Sequence, residues 1–175
     1  MHAVRVFLLA GMTTLACTKS DAPNAPVVAS EHCQGTELRA FDFWAGTWEV
    51  HIADGRLAGH NHVEIAHGGC ALIEHWTAID GGGGTSINYV DPETEQWVQN
   101  WVDSRGGVIQ LSGGWDGESM RLQGRWAPPK GMGPTQKMRG VWTPLADGRV
   151  RQAFETSLDG SEWKPWFEGF YSRAD

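Results

Sequence analysis

The stretch WEVHIADGRLAGHNHVEIAHGGCALIEHWTA, residues 48–78, decides the fold. Asp54-Gly55 and Gly68-Gly69 are dipeptides that supply the positive φ of tight hairpin turns, and the runs around them alternate with a period of two. With Asp54-Gly55 as a two-residue loop, Trp48 faces Asn61, Glu49 faces His60 and Ile52 faces Leu57. Trp48, Val50 and Ile52 then share one side with Leu57, Gly59, Asn61, Val63 and Ile65. Carried through Gly68-Gly69, the register sets Asn61 opposite Trp76, His62 opposite His75 and Val63 opposite Glu74. One apolar face crosses three strands, and Asn61 and Glu74 are its polar members.

The same punctuation continues outward. Gly81–Gly84, Asp91-Pro92, Arg105-Gly106-Gly107, Asp116-Gly117, Asp147-Gly148 and Asp159-Gly160, with the Pro-rich stretch 128–134, break the chain into short runs. None has a helix-length apolar period, so the pattern predicts an antiparallel meander of about ten strands. An open sheet of that length would leave two long edges, and closure into an up-and-down barrel removes them. Residues 36–45 are the one helical candidate. Thr36 stands where it could cap a turn carrying Leu38, Phe41 and Trp44, which would plug the end of the barrel. The barrel domain is therefore read as residues 36–175.

Composition sets outer limits. The chain has 175 residues, 10 Trp and 23 Gly, the last nearly twice the ordinary share of about 7%. Its net charge of −7 argues against a nucleic-acid partner, which calls for a basic face. Residues 1–16 pair an early Arg5 with an apolar run, the pattern of a secretory signal. Thr14-Leu15-Ala16-Cys17 resembles the lipobox of bacterial lipoproteins, which implies acylation of Cys17 and anchoring at the periplasmic face of the cell envelope. Ordinary cleavage after Ala16 is the alternative. Residues 17–35 read as a tether with two Pro. With Cys17 acylated, Cys33 and Cys70 remain as an even pair for a disulfide in an oxidising compartment. That bridge would be worth roughly 4 kcal/mol on the chain-entropy model.

Phe41-Asp42-Phe43-Trp44-Ala45-Gly46-Thr47-Trp48-Glu49-Val50 resembles the opening of bacterial lipocalin-like proteins of the calycin class. Glu74-His75-Trp76, Ser86-Ile87-Asn88-Tyr89, Trp97-Val98-Gln99-Asn100-Trp101 and Arg139-Gly140-Val141-Trp142 are similar to strands of an uncharacterised secreted family with that opening. The resemblance spans about residues 36–173. It implies a barrel enclosing a pocket for a small, mostly apolar guest, and it implies no particular chemistry.

Three constellations carry the functional reading. Trp48, Trp76, Trp97, Trp101, Trp126 and Trp142 either fill the barrel, with Asn61, Gln99 and Gln152 as indole partners, or line a hollow inside it. Glu74 on an apolar inner face costs several kcal/mol unless paired or protonated. An inward Arg125, Arg139 or Arg151 would make it structural; otherwise it is a polar anchor or an acid/base. His51, His60, His62, His67 and His75 cluster in sequence, and the register puts His62 and His75 side by side on the outer face. There a solvated surface is the simpler reading and a metal site the sharper one. The expectation is a non-enzymatic barrel for a small hydrophobic or aromatic ligand, needing no cofactor. Asn61, Glu74, Trp76, Tyr89, Gln99 and Trp101 form its proposed site. Its rivals are an isomerase- or cyclase-type enzyme using Glu74, and a structural envelope protein with a filled barrel.

Overall fold

The structure, a computed structural model, describes residues 33–174. The signal segment, the acylation of Cys17 and most of the tether fall outside the described residues. Ten strands follow in chain order: β1 (Gly46–His51), β2 (Leu57–Ala66), β3 (Ala71–Ala78), β4 (Gly83–Val90), β5 (Trp97–Asp103), β6 (Val108–Trp115), β7 (Met120–Ala127), β8 (Gln136–Pro144), β9 (Val150–Ser157) and β10 (Lys164–Arg173). Each pairs antiparallel with its neighbours in sequence, and β10 closes the ring on β1. This is the closed meander that the turn spacing predicts.

The opening hairpins keep the predicted faces. Trp48 lies opposite Asn61, Asn61 opposite Trp76, and Val63 opposite Glu74. The tip of the first hairpin differs. A bulge between Val50 and His51 sets His51, rather than Ile52, against Leu57. Ile52 instead takes part in the turn, its N–H donating to Arg56 O at 3.0 Å while its carbonyl accepts from Gly55 N at 2.9 Å. Inside the ring, glycine is the partner of large rings. A Cβ on Gly59 would come within 2.8 Å of the Trp76 indole, and one on Gly84 would collide with Trp101. Part of the glycine excess thus makes room for tryptophan.

The expected helix over residues 36–45 is two 3-10 turns, Glu37–Arg39 and Asp42–Trp44. Thr36 does not cap the backbone; its hydroxyl donates to Glu37 Oε2 at 2.8 Å. So short a segment has too few hydrogen bonds to hold a helix by itself, and docking of its aromatics takes over. Phe41 and Trp44 are fully buried. Phe41 stacks on Trp44 at 5.1 Å and meets the edges of Trp97 and Trp142 at 5.5 and 5.3 Å. The indoles of Trp48 and Trp97 donate to the carbonyls of Trp44 and Glu37, each at 2.9 Å. These two rings therefore bond to the plug's backbone and not to Asn61, Gln99 or Gln152. The Cys33–Cys70 disulfide, with Cα atoms 5.1 Å apart, ties the chain ahead of the plug to the β2–β3 turn.

Phe41 meets ring faces and edges from three directions, so it belongs to the core despite lying outside the strands. Phe41→Ala is expected to destabilise the full chain by about 3–5 kcal/mol in urea denaturation. A loss under about 1 kcal/mol would mean that the plug rests on the barrel without being part of it.

Candidate functional site

Because the strands alternate in direction, the β2–β3, β4–β5, β6–β7 and β8–β9 turns share the plugged end, and the remaining turns share the other. Aromatic packing fills the plugged end. Toward the other end the interior opens into a cavity of about 330 Å³, within the range of small-molecule pockets. Trp76, Trp101, Trp126, Phe154, Trp166 and Phe167 form its walls. Asp80, Ser104, Arg105, Pro129 and Met132, from the turns after β3, β5 and β7, stand at its mouth. Ile79 and Met132 are 65% and 63% exposed at that end.

Glu74, Gln99, Gln152 and Tyr171 form the floor. Glu74 is only 4% exposed. Its Oε1 accepts from Asn61 Nδ2 at 2.9 Å and its Oε2 from Ser86 Oγ at 2.7 Å. Ser86 Oγ in turn accepts from Asn88 Nδ2 at 2.9 Å, and Asn88 Oδ1 accepts from Gln99 Nε2 at 3.0 Å. Each donor in this chain faces the carboxylate, an arrangement in which successive bonds polarise one another. Across the floor, the Tyr171 hydroxyl donates to Gln152 Oε1. Asn61 Oδ1 is buried and has no hydrogen-bond partner among the described residues.

None of the three arginines considered as partners reaches Glu74. Arg139 pairs with Glu155 and Arg151 with Glu168, each at 2.7 Å, while Arg125 donates to Gln110 at 3.0 Å. Burial therefore dominates over the two hydrogen bonds and raises the Glu74 pKa from 4.5 to about 7. Burial, with the Glu74 charge next in weight, also pushes the Tyr171 hydroxyl well above its usual range. At neutral pH Tyr171 is a fixed donor and Glu74 is poised between its two forms.

Of the residues singled out from sequence, Glu74, Trp76, Gln99 and Trp101 line the cavity. Asn61 stands behind Glu74 and holds it. Tyr89 is a correction. Ser86 lies opposite Glu74 and Asn88 opposite Gln99, so strand alternation turns Ser86 and Asn88 inward and Tyr89 outward, beside Ile87. The tryptophans divide between their two readings: Trp48, Trp97 and Trp142 are core, while Trp76, Trp101 and Trp126 are wall. Gln152, Phe154, Trp166, Phe167 and Tyr171 were not anticipated at the site. Alternation along β9 could have found the first two. A bulge between Pro165 and Phe167 breaks the period on β10 and hides Trp166 and Phe167, while Tyr171 follows Phe167 in regular alternation.

His62 and His75 do lie side by side on the outer face. Each ring has a threonine neighbour, Thr47 at 3.1 Å and Thr85 at 3.5 Å. Among the described residues, no group of three or more His, Cys, Asp or Glu is placed to hold a metal ion. No protein-family model matches the chain, and no curated protein matches it.

The pKa of Glu74 has a consequence for stability. Between pH 4.5 and about 7 the folded chain keeps a proton that the unfolded chain has released. Stability is thus lost as pH rises through this window and levels off above it, by about 3 kcal/mol in all. Glu74→Gln is expected to match the parent near pH 4 and to exceed its stability by about that amount at pH 8. Parallel pH–stability curves for the two proteins would show that Glu74 is not desolvated.

Proposed function

We propose that this chain is a lipocalin-like, ligand-binding barrel that takes a small hydrophobic or aromatic molecule through its unplugged end. The half-open cavity, walled by aromatic rings over a polar floor, is the observation that carries this reading. Large apolar rings supply most of the desolvation energy, while a few polar groups set the guest's orientation. Trp76 and Trp101 act as walls, Glu74 and Gln99 as anchors, and Asn61 as the support of Glu74. A barrel filled throughout, the structural reading, has no place for such a hollow. The disulfide supports export, since such bonds persist in oxidising compartments. Acylation at Cys17 and a place at the periplasmic face of the envelope complete the proposal.

An acid–base enzyme is the second reading, favoured by one observation: a pKa of about 7 suits Glu74 to give and take protons. Isomerase or cyclase chemistry would also need a partner for the proton. The other titratable group on the floor among the described residues, Tyr171, stays protonated and is committed to Gln152. The floor therefore suits binding better than turnover.

The wall tryptophans make the test direct. Titration of the full chain with a panel of hydrophobic and aromatic compounds is expected to quench or shift tryptophan fluorescence. Trp101→Ala is expected to weaken the best ligand by about tenfold. A panel in which no compound changes the emission would contradict ligand binding, and chemical conversion of a bound compound would favour the enzyme.

A further inference from the structure

The charge on the floor points to a narrower class of guest, provided that the barrel is a ligand-binding one. We infer that the cavity takes an organic cation, an aromatic amine whose protonated nitrogen pairs with the Glu74 carboxylate while its apolar body lies among the tryptophans.

Four independent features lead there. Glu74 is buried and, among the described residues, has no ion pair with Lys or Arg. Its hydrogen-bond chain from Gln99 through Asn88 and Ser86, with Asn61 on the other oxygen, consists of donors oriented to favour a negative charge. The walls above it present aromatic faces, whose π-electrons attract cations in a desolvated site. Among the described residues, the charged groups that line the cavity are Glu74, Asp80 and Asp103 against Arg105. An anionic guest would meet that negative field and bring a second negative charge beside Glu74. A neutral guest would leave the carboxylate buried without compensation. A cation satisfies the ring faces and the carboxylate together.

Binding of such a cation depends on pH. Groups facing Glu74 from the neighbouring strands are Asn61 on β2, Ser86 and Asn88 on β4, Gln99 on β5, Gln152 on β9 and Tyr171 on β10. Only Tyr171 titrates, far above neutrality. Asp80, Asp103 and Arg105 stand at the mouth. Below about pH 7 an ammonium must therefore displace the Glu74 proton before it can pair.

Calorimetric titration of the full chain with three probes of matched shape tests this: naphthylmethylamine, its neutral isostere ethylnaphthalene, and naphthylacetate. At pH 8 the amine is expected to bind about tenfold tighter than ethylnaphthalene. That preference should vanish in Glu74→Gln while ethylnaphthalene binding persists. In the unmodified protein the amine's affinity should fall about tenfold between pH 8 and pH 5, to that of ethylnaphthalene, which should stay unchanged. This arm needs no variant and stands even if Glu74→Gln fails to fold. Ethylnaphthalene or naphthylacetate binding as tightly as the amine, or a preference that survives Glu74→Gln, would overturn the cation and leave the ligand-binding reading intact. Binding by none of the three would overturn both.

Discussion

A ring of ten antiparallel strands encloses more space than a single layer of its own inward side chains can fill. The chain meets this constraint differently at its two ends. At one, a segment ahead of the first strand folds back and inserts Phe41 and Trp44 among Trp48, Trp97 and Trp142. At the other, none of the described residues is inserted, and Trp76, Trp101 and Trp126 face an opening. The same residue type thus serves as packing in one tier and as wall in the other. What separates them is whether a second layer of aromatic rings arrives to cover the indole faces.

Between the tiers lies a polar belt of Asn61, Glu74, Ser86, Asn88, Gln99, Gln152 and Tyr171, all buried. Burying this many polar groups is unfavourable unless they bond one another, and hydrogen bonds join most of the belt. Its one ionisable carboxyl has donors on both oxygens and no counter-charge among the described residues. Burial raises its pKa in spite of those two donors, so the acid weighs against stability at neutral pH and above. Of the belt, Glu74, Gln99, Gln152 and Tyr171 line the hollow.

Much of this architecture is legible in the sequence, because tight hairpins with positive-φ glycines set register as well as direction. The pairing of Trp48, Asn61 and Trp76, and that of Val63 with Glu74, follow from counting across two turns. The counting loses its footing at three places. A bulge after Val50 lengthens the first hairpin. The glycines at 81–84 define no unique loop length, and Gly83 and Gly84 turn out to be strand residues. Without that anchor the face of Tyr89 cannot be fixed from spacing. The bulge before Phe167 likewise conceals the contribution of β10 to the wall. The plug is legible in its aromatics but not in its form, since Phe41 and Trp44 are held by tertiary contact and not by helix propensity. That Arg125, Arg139 and Arg151 all turn away from Glu74 is not legible at all, because it depends on pairings made elsewhere around the barrel.

A lone carboxyl, buried and without a counter-charge among the described residues, sits beneath an aromatic-walled hollow. The most direct measurement is the titration of the Glu74 side-chain carboxyl carbon by ¹³C NMR in the ligand-free protein. A midpoint near pH 7 is the predicted result. A midpoint at or below the ordinary glutamate value of 4.5 would show that water or a cation already compensates the charge, and would contradict it.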